Sequence, residues 1–412
     1  MIFMKTNKLK KLISFYILIT IFALLIANTG VIGAADTELR RTAPTVDETD
    51  DAQNPLVANQ PNLGINAESA VLMEADTGMI LYESNADEPF APASVTKVMS
   101  MLLIMEAIAD GRVAVDDMIS TSEYAASMGG SQIYLEPGEQ MSLDDMLKAI
   151  VVSSANDATV AVAEHLSGSV EAFVAKMNER AAALGMKNST FKNVTGLDAD
   201  GHVMSARDIA IVSRELLKHE AIFDYTRIWM DTLRNGEFGI SNTNRLIRFY
   251  NGANGLKTGS TGIAKYCLAA SAIRNDMQLI AVVMAAPSSD ERFTGAKRLL
   301  DYGFATYSVY QTPQEELAPI RVTGGVANEL VPEHVTQSFL ISRGKERLIE
   351  KQVNIVDTIA APITQGQKIG SVDYIIEGEV VKSTDIVASV SIERISFWGI
   401  FARMARKYFM LG

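Results

Sequence analysis

Three short segments of the chain hold residue types that together can open an amide through a covalent intermediate. Ser94 and Lys97 lie three positions apart in Ser94-Val95-Thr96-Lys97, a spacing that puts both side chains on one face of a helix. A serine hydroxyl is a poor nucleophile at neutral pH without a base beside it. A lysine amine can be that base if burial or a neighbouring cation keeps it neutral. Ser154-Ala155-Asn156 adds a second hydroxyl, able to pass a proton to a leaving group, and an amide able to bind substrate and hold Lys97. Lys257-Thr258-Gly259 adds a point charge that can bind a carboxylate and depress the pKa of Lys97, next to a residue whose missing Cβ lets substrate backbone approach closely. These residues form the expected set, with Ser94, Lys97 and Ser154 catalytic and Asn156, Lys257 and Gly259 binding substrate.

These segments need a scaffold, and the hydrophobic pattern supplies one. Val95, Val98, Met99, Leu102, Leu103 and Met105 recur with helical spacing, so residues 94–109 are expected as a buried helix entered from an extended stretch that ends at Pro92. Further helices are expected over 143–152, 157–166, 170–184, 206–217 and 294–302. Apolar runs at 69–73 and 79–82, joined through Asp76, Thr77 and Gly78, read as a hairpin. A second hairpin, 266–272 with 279–285, turns at Arg274, Asn275 and Asp276 and follows the strand at 256–258. Strands, a helical block and more strands make an α+β domain, with helices packed on an antiparallel sheet. After Pro313 the Val- and Ile-rich runs at 320–322, 337–340, 352–356, 372–376 and 385–390 predict a small all-β sandwich with no recognisable chemistry, a spacer or docking module.

The ends and the composition narrow the classes of function. Lys5, Lys8, Lys10 and Lys11 precede an apolar run at 12–27 and then small residues to Ala35, which is the layout of a secretory signal; a permanent N-terminal anchor is the competing reading. Residues 36–64, with Pro44, Pro55 and Pro61, are expected as a flexible leader. From Phe397 onward an apolar face of Trp398, Ile400, Phe401, Met404, Tyr408 and Phe409 opposes Arg403, Arg406 and Lys407. Such a helix lies on an anionic lipid surface and is too polar to span it; docking on the β-rich domain is the alternative. The expected partition is 1–35 signal, 36–64 leader, 65–304 catalytic domain, 312–390 β-sandwich and 391–412 anchor helix. A chain of 412 residues, 48% hydrophobic and 21% charged, has ample core, and its net charge of -12 disfavours nucleic acid as a partner. The single cysteine, Cys267, excludes an internal disulfide or a thiolate zinc cluster and reads as a small buried hydrophobe. No cofactor or metal is expected. His165, His202, His219 and His334 sit in no triad or zinc motif and are expected at the surface or at helix ends.

The trio, in its order along the chain, matches the pattern of class A β-lactamases and penicillin-binding proteins. More specifically, the chain resembles the low-molecular-mass serine D-alanyl-D-alanine carboxypeptidases. The resemblance rests on Pro92-Ala93 before Ser94, on Tyr134-Leu135-Glu136-Pro137-Gly138-Glu139, and on Met177-Asn178 leading to Leu184-Gly185-Met186. Phe191-Lys192-Asn193, Thr195-Gly196-Leu197 and Lys257-Thr258-Gly259-Ser260-Thr261 complete it. It implies a β-lactamase/transpeptidase-like catalytic domain, a small β-domain, and removal of terminal D-alanine from peptidoglycan pentapeptides through an acyl-serine that β-lactams also form. It further implies an oxyanion hole from the N–H groups of Ser94 and Ser260, and Arg292 steadying the substrate carboxylate with Thr258. Family members often carry His where Ser260 stands. The location implied is the outer face of the bacterial cytoplasmic membrane. A β-lactamase is disfavoured because no Glu-x-x-Leu-Asn lies between Asn156 and Lys257; a non-catalytic penicillin-binding sensor or wall-binding scaffold is the alternative from another class.

Overall fold

The computed structural model describes residues 60–409. The proposed signal, most of the leader and the last three residues of the C-terminal segment lie outside the described residues.

A hairpin opens the described chain, β1 (Ser69–Glu74) and β2 (Ile80–Ser84). The helical block follows with α1 (Lys97–Ala109), α2 (Asn156–Ser167), α3 (Val170–Ala183) and α4 (Ala206–Leu217). Then come β3 (Ala253–Thr261), β4 (Lys265–Arg274), β5 (Met277–Ala286) and α5 (Ser289–Thr306). The five strands form one antiparallel sheet in the order β2-β1-β5-β4-β3, so β3 is an edge.

Both faces of this sheet are covered. Along β1, Val71 and Met73 pack into the core shared with the helical block, while Ala70 and Leu72 pack into a second core against Phe293, Ala296, Leu299, Leu300 and Phe304 of α5. This is the period-two alternation of a strand with apolar layers on both sides. Serines start the helices: Ser169, Ser205 and Ser288 each accept a backbone N–H three residues on, which satisfies one of the donors a helix start leaves open. The Ser288 cap, with Asp290 and Glu291 in the first turn, starts α5 five residues earlier than the apolar spacing alone predicts.

Two departures from simple helical periodicity bear on the site. Residues 93–96 form a 3-10 turn instead of the first turn of α1, with Val95 N–H bonded to the Pro92 carbonyl. Side chains three apart eclipse in that geometry. The expected helix over 143–152 is α-helical only through Lys148 and continues as a π-turn, Ala149–Ser153, that ends with Ser154 in the left-handed region at φ 65°.

The last part of the expected leader is ordered. The Gln60 side-chain amide pairs with both backbone groups of Glu83, at 2.6 and 2.9 Å, and so serves as a partner on the open edge of β2.

The C-terminal region is all-β, in sheets of two, three and four strands around a core that includes Val322, Phe339, Val372, Tyr374 and Ile386. Its first strand, Tyr307–Gln311, pairs with Ser338–Ser342 and begins before position 312. The described residues end in α6 (Phe397–Phe409). Among the described residues no helix is long and apolar enough to cross a membrane.

Candidate active site

The 3-10 turn places Lys97 directly under Ser94. Lys97 Nζ lies 3.2 Å from Ser94 Oγ, donates to Asn156 Oδ1 at 2.6 Å and donates to the Thr195 carbonyl at 2.8 Å. Asn156 is oriented by its other end, where Nδ2 donates to the Gly129 carbonyl at 2.7 Å, so its oxygen must face the lysine. Lys97 is wholly buried. Burial, with Lys257 as a nearby like charge, holds its pKa well below the usual lysine value, against a smaller opposite pull from Asp157. A neutral amine has two N–H bonds and one lone pair. With the two donors spent on Asn156 and Thr195, the lone pair is left for the Ser94 hydroxyl, which is the geometry of a general base.

Asp157, fully buried at the start of α2, accepts the backbone N–H groups of Ile133 and Leu135 and fixes the 131–135 segment beside Asn156. The Ser131 carbonyl accepts the Asn156 N–H at 2.7 Å. The Ser154 hydroxyl is buried and has no hydrogen-bond partner among the described residues. The π-turn holds it two residues ahead of Asn156, able to exchange a proton with a group that enters the cleft.

Edge strand β3 supplies the third segment. Lys257 is buried, and desolvation together with Arg292 lowers its pKa to about 7. Thr258 Oγ1 bonds Thr243 Oγ1 at 2.7 Å. Gly259 faces the nucleophile's turn. A Cβ there would lie 2.7 Å from the Pro92 carbonyl oxygen and 2.9 Å from Ser94 N, so the nucleophile's own turn occupies that space. Ser260 is exposed on the same strand. Arg292 Nη1 donates to the Gly259 carbonyl at 3.0 Å, and its guanidinium lies over the Tyr266 and Phe293 rings, bracing β3.

Ser94, Lys97 and Asn156 therefore meet in one hydrogen-bonded cluster, Lys257 acts on it electrostatically, and Gly259 abuts the nucleophile's turn. Thr243 and Asp157 take part as well, and so does Thr195, whose Thr195-Gly196-Leu197 segment carries the resemblance but no assigned role; the Asn193-x-Thr195-Gly196 turn signal and the acid directly after Asn156 are the sequence clues to them. Two histidines also depart from expectation. His202 and His334 are buried and hydrogen-bonded, to Thr96 and Thr384, whereas His165 is exposed. Cys267 is buried on β4, and burial pushes its thiol up to about 11, which suits a packing residue. Among the described residues no cluster of His, Cys, Asp or Glu could hold a metal ion.

Comparison with known proteins identifies the family. Residues 54–288 match the family model described as D-alanyl-D-alanine carboxypeptidase, and residues 305–394 match the C-terminal domain of penicillin-binding protein 5. The D-alanyl-D-alanine carboxypeptidase DacF of Bacillus subtilis is 45% identical over 342 residues, 81% of this chain and 88% of that protein. Penicillin-binding protein 5 from Haemophilus influenzae superposes with a TM-score of 0.73 at 31% identity, covering 81% of this chain and 99% of that one. Penicillin-binding protein D2 from Listeria monocytogenes, solved in its ampicillin-bound form, gives 0.55 at 30% identity, covering 59% of this chain and all of that one. With the β-lactamase/transpeptidase-like domain, the all-β module and the Ser94–Lys97–Asn156 cluster all in place, the chain belongs to the D-alanyl-D-alanine carboxypeptidase family.

Proposed function

We infer that the chain is a serine carboxypeptidase that removes the terminal D-alanine from peptidoglycan pentapeptide stems through an acyl-enzyme on Ser94. The observation that carries this is the buried Lys97 amine, held by Asn156 Oδ1 and the Thr195 carbonyl with its Nζ 3.2 Å from Ser94 Oγ. Lys97 takes the Ser94 proton as the oxygen attacks the carbonyl between the two D-alanines. Charge developing on the carbonyl oxygen is met by the N–H groups of Ser94 and Ser260. Ser154 returns a proton to the departing D-alanine amine, and the cationic edge of Lys257, with Thr258 and Arg292, attracts its carboxylate. Water then releases the shortened stem. β-Lactams present a strained amide beside a carboxylate and acylate the same serine, a reading supported by the ampicillin-bound relative.

The working place inferred is the outer face of the cytoplasmic membrane, reached through the N-terminal signal and held by α6. Trp398, Phe401, Met404 and Tyr408 are exposed on α6, and Arg403 ties the helix to the β-domain through the Asn328 side chain and the Gly325 and Val326 carbonyls. Co-sedimentation with anionic vesicles, lost on removing residues 391–412, is the result expected of that reading.

The functional test is D-alanine release from a diacetyl-Lys-D-Ala-D-Ala peptide, with Ser94→Ala in parallel. Release by the wild type and none by the variant is expected. Stoichiometric penicillin labelling of the wild type without D-alanine release would instead make the protein a penicillin-binding sensor.

A further inference from the structure

The segment 191–202 touches the Ser94-Val95-Thr96-Lys97 segment at two points. The Thr195 carbonyl accepts from Lys97 Nζ at 2.8 Å, and His202 Nε2 lies 2.8 Å from Thr96 Oγ1, between the nucleophile and its base. One turn further along α1, Ser100 Oγ donates to the Val194 carbonyl at 2.8 Å. The imidazole also closes the loop on itself, since its Nδ1 accepts the Lys192 N–H at 2.9 Å. A backbone N–H can only donate, so Nδ1 carries the lone pair and the proton sits on Nε2, where it donates to Thr96. The base of the loop is sewn to the approach to Ser94: Thr190 pairs with Val203, and Met204 exchanges both backbone bonds with Phe90. Inside it, Gly196 at φ 87° lies so close to the nucleophile's turn that a Cβ would overlap the Ala93 carbonyl. The imidazole is 3% exposed, and burial lowers its pKa to about 4, with Asp198 favouring and Lys192 disfavouring the charged form. At neutral pH it therefore stays neutral, in one tautomer.

We propose that His202 is a positioning residue for acylation: by clasping Lys192 N–H and Thr96 Oγ1 together it keeps the 191–202 loop closed, and so keeps the Thr195 carbonyl on Lys97. The proposal rests on the acyl-enzyme reading above. Without the clasp the Thr195 carbonyl drifts, water reaches Lys97, and the amine moves back toward the ordinary lysine pKa, so that less of the free base is present at neutral pH.

The test compares His202→Gln with His202→Asn in the full-length chain. The Gln amide reaches the position of Nε2 and can still donate to Thr96, giving up only the Lys192 N–H at an end of the loop that the Thr190–Val203 pairing also holds, whereas the shorter Asn amide reaches only the position of Nδ1 and loses Thr96. The readout is the second-order rate of benzylpenicillin acylation across pH, with the melting temperature measured alongside. His202→Asn is expected to slow acylation about tenfold and to move the acid limb of the profile to higher pH, while His202→Gln stays within about threefold of wild type. Thr96→Val, which removes the acceptor and leaves the bond to Lys192, should behave like His202→Asn. If the Gln and Asn variants acylate alike, whatever their melting temperatures, or if Thr96→Val matches wild type, the proposal is overturned. A wild type that fails to acylate would instead sink the functional reading on which it stands.

Discussion

The side-chain oxygen of Asn156 lies 2.6 Å from Lys97 Nζ, while the nitrogen of the same amide is spent on the Gly129 carbonyl. One residue thus ties the base to the wall of the cleft and fixes the direction of its lone pair. Asn156→Ala leaves the amine one partner short and free to rotate. Acylation by penicillin is expected to fall about 100-fold, the scale of a lost alignment between base and nucleophile. A stopped-flow acylation rate within about threefold of wild type would show that Thr195 alone suffices to orient Lys97.

The two buried lysines define the active pH range. Lys97 must be neutral to accept the Ser94 proton, so activity rises with pH through its depressed pKa. Lys257 must keep its proton to attract a carboxylate, and in the free enzyme it loses that proton at about 7. The kcat/KM profile for D-alanine release is therefore expected to fall on the alkaline side close to neutrality. In kcat the same limb should lie at higher pH, because a bound carboxylate favours the charged lysine. Coincident alkaline limbs in the two profiles would separate Lys257 from carboxylate binding.

The part of this site that was legible in the sequence is the part where chemistry dictates residue type. A nucleophile, a base three residues on, an amide and a cation are informative as side chains, and Ser94, Lys97, Asn156 and Lys257 stand out for that reason. Backbone groups carry no such signal. The Thr195 carbonyl meets Lys97 across 98 residues because Asn193 folds a turn beneath it, Oδ1 accepting the N–H groups of Thr195 and Gly196. His202 was unreadable for a related reason: its contact with the nucleophile's segment is to Thr96, 106 residues away, and its immediate neighbours in sequence do not signal it. In the fold, the period-two and 3.6-residue patterns placed the sheet and the long helices. The π-turn before Ser154 escaped because its sequence, Ala149 to Ser153, carries ordinary helical periodicity.

Gly259 offers a prediction about backbone space. Alanine there would set a methyl against the Pro92 carbonyl and Ser94 N, both held backbone atoms, so either the nucleophile's turn or edge strand β3 must move. The strand lies at the sheet edge, paired with a neighbouring strand on one side only, so the shift should stay local. Gly259→Ala is expected to keep its far-ultraviolet circular dichroism and melt within a few degrees of wild type, while penicillin labelling drops at least about 100-fold. Labelling at the wild-type rate would mean that the gap between β3 and the 93–96 turn is wider in solution.

Lys257 exacts a cost in stability for its role. In the unfolded chain it holds its proton to about pH 10.5, while in the folded protein burial and Arg292 bring the pKa to about 7. Between those values the unfolded state binds more protons, so the penalty is full at and below neutrality and shrinks as pH rises toward 10.5. Lys257→Met removes the amine, keeps a similar length, and leaves only the Thr258 carbonyl without its donor. The variant is expected to be more stable than wild type at pH 7, by on the order of 3 kcal/mol, and inactive toward the peptide. Urea unfolding at pH 7 and pH 9.5 checks the sign, because the advantage of the variant should narrow at the higher pH as the wild-type lysine becomes neutral in the folded and part of the unfolded ensemble. A difference that does not change with pH would mean that the gain comes from better apolar packing, and Lys257 would then be titrating as an ordinary lysine.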